Sequence, residues 1–328
     1  MKDGNSEMDP RIPRMERVLS QAVGRNSGPK DQHYVTRAYQ ELFFAPDGEF
    51  SVYDRKRACF KTKGKKGVAF LDEFYVFIDD NGEKRFDVEH AIAAFENDAI
   101  PIIKRLCQKE VIDDLDRTTL AWFIAINLLR TPQALDEILV AYKAMAPYLK
   151  EHFGDEATAK KYFEDEQGTN PLRAAEMAAY IFGRAVLAPG RQAALGLFLG
   201  ALPIVYKRIH WSHWQILESP APNARFVISD CGLANLAEDA ESVGNFFATG
   251  MQLAFPLSPR FCLVSHHSSG KARVEYEMSS VNLVRQINEA TAWASARYVM
   301  GPNRRQLEDV VTVFDRQPPT WMPVFPVK

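Results

Sequence analysis

Residues 50–78 read FSVYDRKRACFKTKGKKGVAFLDEFYVFI and residues 87–107 read DVEHAIAAFENDAIPIIKRLC; the change of period between them decides the fold class. The first stretch holds short β-rich pieces, FSVYD, ACFKT, VAFLD and FYVFI, interrupted by GKKG and closed by the turn signal Asp80-Asn81-Gly82. That pattern predicts a small antiparallel sheet. In the second, Ile92, Phe95, Ala99, Ile102, Ile103 and Leu106 fall on one helical face behind Asp87, a suitable cap, which predicts an amphipathic helix.

Helical patterning continues outward from there to about residue 201. Asp116 is expected to cap a helix carrying Leu120, Phe123, Ile124, Asn127 and Leu128, and Pro132 to stop it. Further helices are expected over 135–151, 157–166, 171–188 and 191–206. After Trp211 the β signals return in HWQILES, ARFVISD, FPLSPRFCLVSH and ARVEYEM, before helices expected over 281–300 and 303–314. Strands, then helices, then strands, then helix is a segregated order. It predicts an α+β fold in which a helical middle is flanked by short antiparallel strands from the N-terminal and C-terminal parts. Residues 1–31 are expected to form a flexible arm with a short amphipathic helix over 15–23, because large apolar residues are few and a Gly/Ser/Pro cluster fills 26–29. Residues 32–328 then form a single α+β domain with room for two lobes.

Composition narrows the function classes. Forty basic residues against forty-two acidic ones leave a formal charge of −2, so a nucleic-acid surface would have to be a local patch. Such a patch has a place to be: residues 1–70 hold 14 basic and 9 acidic residues, whereas residues 71–170 hold 11 and 21. Four cysteines without a CxxC pair offer neither a zinc ribbon nor a secreted disulfide scaffold and suit a reducing cytoplasm. The longest apolar run, 193–206, contains Pro203 and falls short of the ~18 residues of a membrane span. Pro10, Pro13 and the charges around them replace the apolar core of a signal peptide. A cytoplasmic protein with no membrane association is expected.

The standard mechanistic motifs are missing: GxxxxGK[ST], GxGxxG after a strand, GxSxG, HExxH and an EF-hand loop. His210-x-x-His213 and His266-His267 lack an accompanying carboxylate or cysteine cluster, so packing explains them better than metal binding. No metal or cofactor is expected. Arg55, Lys56, Arg57, Lys61, Lys63, Lys65 and Lys66 form the densest basic stretch, either a phosphate-binding hairpin or a solvated one that guards a sheet edge.

Polar residues punctuating apolar elements supply the candidate site. His33 and Arg37 would share one face of a helix over 33–42 and could grip an anion, the guanidinium as fixed charge and the imidazole as a titratable proton. Arg130 ends an apolar helix beside Asn127, where it could also answer the negative helix terminus. Asp230 follows the apolar strand Ile228-Ser229, as a site residue or as a turn former. With Glu96 and Asn288 these residues are expected to converge, at least four of them in one pocket.

Gln32-His33-Tyr34-Val35 with Arg37 and Tyr39, Glu96, Arg130-Thr131-Pro132, Trp214-x-x-Leu217 leading to Phe226-x-x-Ser229-Asp230, Pro256-Leu257-Ser258-Pro259, and Asn288 with Ala296-Arg297-Tyr298-Val299 follow in an order that resembles the family catalogued as domain of unknown function 4238. The resemblance spans about residues 32–302. The sequence departs from the family pattern at Thr36, where a proline is usual, and at Cys231-Gly232, which replaces Asn-Pro. The resemblance implies a bacterial and phage-associated protein with no established activity, some relatives resembling single-gene antiviral defence proteins.

Two functions compete. One is a defence or toxin effector that cleaves RNA phosphodiesters without metal, with His33 as general acid or base, Arg37 and Arg130 stabilising phosphate charge, Glu96 or Asp230 orienting the histidine, Asn288 in the same site, and the RNA 2′-hydroxyl as nucleophile. The other is a sensor or protein-interaction module in which the polar cluster is structural. RNA or another phosphate-bearing ligand is the partner expected of the first, a protein partner of the second.

Overall fold

The computed structural model describes residues 24–64, 67–79, 81–165, 174, 178, 191–236, 252–266 and 273–316. The chain divides into two compact units, Met1–Thr131 with Pro203–Lys328, and Pro132–Leu202. In chain order the first unit opens with β1 (Asp31–His33), α1 (Arg37–Glu41), β2 (Phe50–Asp54), β3 (Cys59–Lys63), β4 (Phe70–Asp72), β5 (Phe77–Ile78), β6 (Lys84–Arg85), α2 (Asp87–Cys107) and α3 (Asp114–Leu129). Next come α4 (Pro132–Phe153), α5 (Glu156–Asp165) and α6 (Arg191–His210), whose residues from Pro203 onward belong to the first unit. The chain then adds β7 (His213–Glu218), β8 (Ile228–Ser229), β9 (Ala234–Asn235), β10 (Gln252–Pro256), β11 (Phe261–His266), β12 (Val274–Met278), α7 (Val281–Ala294), β13 (Tyr298–Gly301) and α8 (Arg304–Val311). The fold is α+β, as the order of periods predicts.

Two sheets organise the first unit. The larger runs β12-β7-β11-β10-β9 and is antiparallel except where β12 lies parallel to β7. The smaller runs β3-β2-β13-β8 and is antiparallel throughout. Helix α7 packs on both. Val284, Ile287 and Ala290 join Leu217, Phe226, Ala254, Cys262 and Val264 of the five-stranded sheet and its approach, while Ala292 joins Val227, Val299 and residues of α8. Burying the valine, leucine, isoleucine and phenylalanine side chains among these, at ~1.5–3 kcal/mol each, holds the sheets to the helix.

Several expectations need correction. The β-rich stretch 50–78 does not make one sheet, because β4 pairs with β1, β5 pairs with β6, and β2 pairs with β3 on one side and with β13 on the other. Local periodicity carries no information about which strand is the partner. The helix expected over 281–300 ends at Ala294, and residues 298–301 are strand β13 inserted between β2 and β8. Asp113, rather than Asp116, caps α3, while Asp116 closes the reciprocal half of a capping box. The helix over 33–42 is shortened to α1: residues 31–33 pair with 70–72, and the Thr36 side chain caps α1 by accepting the Tyr39 N–H at 3.0 Å. Thr36 is therefore the N-cap residue of α1.

The helix expected over 15–23, nearly all of that expected over 171–188, and Lys65, Lys66 and His267 lie outside the described residues. At the end of the expected arm, the Arg25 N–H donates to Asp87, the Phe86 N–H donates to the Arg25 carbonyl, and the His90 ring meets the Ser27 carbonyl. Among the described residues no helix is long and apolar enough to cross a membrane.

Candidate functional site

Helix α2 turns Glu89 and Glu96, two turns apart, toward the C-terminal end of α3, where Arg130 is wholly buried. The Arg130 guanidinium donates through Nε to the Tyr34 carbonyl at 2.9 Å and through Nη1 to Glu96 Oε1 at 2.7 Å. Its own carbonyl accepts the Tyr75 hydroxyl at 2.9 Å. Burial pushes the Glu96 carboxyl above its ordinary value although Arg130 opposes the shift. Burial likewise raises Glu89 to about 7, with Arg130 opposing and Glu96 reinforcing. Arg130 Nη2, Glu89 Oε2 and Gln32 Nε2 are buried with no hydrogen-bond partner among the described residues. Arg130 thus clamps the Tyr34 backbone to α2. The Asn127 amide donates back to the Phe123 carbonyl within α3 at 2.8 Å.

A second polar group lies on the far side of Tyr34. Asp230, just beyond β8, is buried and accepts the N–H groups of Ala296 at 2.9 Å and Arg297 at 2.8 Å. Burial pushes its carboxyl up to about 6 against those bonds. Burial also raises the Tyr34 phenol well above the usual tyrosine value, and the charge of Asp230 adds to that rise. Asp230 therefore fixes the turn that leads into β13, and with it the positions of Arg297 and Tyr298.

Those two residues open onto a cleft of about 260 Å³. Among the described residues, Arg57, Lys61, Lys63 and Arg297 contribute four cations to its lining and Phe70 and Tyr298 two aromatic rings, with no carboxylate among them. Asp54, at the end of β2 and fully buried, anchors two of the cations: Lys61 Nζ at 2.7 Å and the Arg297 guanidinium at 3.4 Å. Burial works against the Asp54 charge, but Lys61 and Arg297 outweigh it and hold the carboxyl below its ordinary value. The Arg297 guanidinium also lies over the Tyr298 ring, 4.8 Å from its centroid. One carboxylate thus positions two cations and leaves the lining strongly positive.

Glu96 and Arg130 meet, and Tyr34 connects them to Asp230. His33 stands on β1 opposite Phe70 of β4, with ring centroids 5.3 Å apart, which puts the imidazole beside a wall of the cleft. Arg37 is exposed and bonds to Glu41 at 3.0 Å, one turn along α1, so the expected His33–Arg37 helical face is absent. The carboxamide of Asn288 is committed to the backbone: it accepts the Val227 N–H at 3.0 Å and donates to the Arg225 carbonyl at 2.7 Å, tying α7 to the segment before β8. Of the six candidates, Glu96 and Arg130 are in direct contact, and none of the six is among the described residues that line the cleft.

Sequence reading missed Asp54, Glu89, Arg297 and Tyr298 as site residues. The Asp-Arg-Lys-Arg run at 54–57 was a usable signal for Asp54, since a carboxylate at the root of a basic hairpin has cations at hand. Gly232 also gains a reason: its φ is +76°, and a Cβ there would approach the Asn127 carbonyl oxygen to 2.8 Å.

No curated protein and no solved structure matches the chain. A family profile matches residues 31–305, which takes in the Arg130 clamp, the Asp230 turn and the whole lining of the cleft. The chain belongs to the family described as Protein of unknown function (DUF4238).

Proposed function

We propose that this protein binds a phosphate-bearing ligand, RNA foremost, in the cleft between β3, β4 and β13. The observation that supports this reading is the lining, with Arg57, Lys61, Lys63 and Arg297 on one cleft and no carboxylate among its described lining residues. Arginine forks suit bidentate contact with phosphate oxygens, while lysines act as point charges. A volume of about 260 Å³ lies just under the ~300–1,000 Å³ of drug-sized ligand pockets, so it suits one nucleotide of a chain rather than a duplex.

Arg57 and Lys63 are the residues to change, because Lys61 and Arg297 also neutralise the buried Asp54 and their loss would confound binding with folding. A titration of the protein with pyrophosphate, and with a fluorescent RNA oligonucleotide at rising salt, is the direct test. Arg57→Gln with Lys63→Gln should weaken both ligands and flatten the log–log salt dependence for RNA by roughly 1.4, or about 0.7 per lost single-strand phosphate contact. Binding by the double variant equal to that of the unaltered protein, or no binding of either ligand by the unaltered protein, would sink the reading.

The His33 ring against Phe70 favours a second reading, metal-independent RNA cleavage with His33 as general acid or base and cleft arginines taking the developing charge. A defence or toxin effect would follow from the loss of RNA. The test is total RNA in a bacterial host expressing the protein or its His33→Ala form, with and without phage. Intact RNA under both, with the proteins folded, would leave binding alone.

A further inference from the structure

We infer that Phe70, backed by His33, is a base-stacking platform, and that the ligand of the adjoining cationic cleft is therefore single-stranded nucleic acid. This rests on the reading of the cleft as a phosphate site and adds what that reading lacks, a means of holding the base.

Phe70 lines the cleft and is 41% exposed, so its ring is accessible to a ligand there. Its partner across the β1–β4 ladder is His33, whose ring supports it at 5.3 Å with a 50° tilt. Opposed residues of an antiparallel pair project on the same side, so the two rings form one aromatic ridge. The other ring of the cleft, Tyr298, already has the Arg297 guanidinium over it, so Phe70 is the better placed to receive a base. Aromatic rings beside a cationic groove recur in single-strand binding, where phosphates follow the charges and unstacked bases lie on the rings. A duplex keeps its bases stacked on one another and offers none to Phe70.

The experiment measures fluorescence anisotropy with a labelled RNA of about ten adenosines, the same RNA annealed to its complement, and pyrophosphate as a competitor. Phe70→Ala should weaken single-strand binding by about 5- to 150-fold, the range for losing one stacked base. Its salt slope and its pyrophosphate affinity should stay as they were, because no cation has been removed. Phe70→Trp should keep single-strand affinity, whereas Phe70→Leu, which retains apolar bulk without a π face, should lose it. Circular dichroism checks that each variant is folded, and the leucine variant carries the test should the alanine one unfold. Equal single-strand affinity in the protein and its Phe70→Leu form, or duplex binding as tight as single-strand binding, would overturn the platform and leave the phosphate site standing. Absence of pyrophosphate binding by the unaltered protein would overturn both.

Discussion

Glu89 offers the sharpest test of the electrostatics around Arg130. Its carboxyl is buried, has an oxygen with no hydrogen-bond partner among the described residues, and is raised by burial from 4.5 to about 7. A group whose folded value lies above its unfolded value holds its proton more tightly when folded. Its contribution to stability is complete below about pH 4.5 and is lost as pH rises through about 7. At about 1.4 kcal/mol per unit, a rise of roughly 2.5 units (about 7 less 4.5) costs at most about 3.5 kcal/mol once the group is ionised in the fold. Glu89→Gln keeps the shape and removes the charge, so the variant should match the unaltered protein near pH 4.5 and exceed it increasingly up to pH 8. At roughly 2–4 °C per kcal/mol, the gap in melting temperature at pH 8 should reach up to roughly 7–14 °C. The measurement is a set of thermal melts of both proteins between pH 4.5 and 8.5. Asp230, also raised by burial, loses its contribution between about 3.8 and 6 in both proteins and cancels from the difference. A difference that stays flat with pH, or a variant less stable at pH 8, would refute the account.

Arg130→Ala removes the cation that neutralises Glu96 and the donor that holds the Tyr34 carbonyl, and should cost about 3–5 kcal/mol in urea denaturation. Arg130→Lys should recover only part of that, since an ammonium cannot reproduce the fork to both acceptors; full recovery would show that charge alone matters. Gly232→Ala forces a side chain into a positive-φ backbone and against the Asn127 carbonyl, so it should destabilise by more than the ~1 kcal/mol of an ordinary glycine position, and an unchanged urea midpoint would contradict that geometry.

Much of the fold was legible in the sequence because periodicity is local. The apolar spacing of Ile92, Phe95, Ile102, Ile103 and Leu106 suffices for α2, and HWQILES and FPLSPRFCLVSH suffice for β7 and β11 and the last two residues of β10, since these apolar side chains must leave water whatever they pack against. The α+β class follows from the order of such segments. Pairing is not local: nothing within Ala296-Arg297-Tyr298-Val299 says that residues 298–301 leave a helical pattern to enter a sheet between β2 and β8, a choice made by backbone partners at residues 51–54 and 228–229. The site divides along the same line. Sequence alone placed His33, Glu96, Arg130 and Asp230 among the polar residues that interrupt apolar elements, and marked Arg57, Lys61 and Lys63 as a dense basic run. Only the tertiary structure decided that Arg130 is sealed against Glu96 while Arg297 arrives beside Lys61 and Lys63. Burial and Coulomb attraction act between groups brought together by the chain's return, here over the 243 positions that separate Asp54 from Arg297.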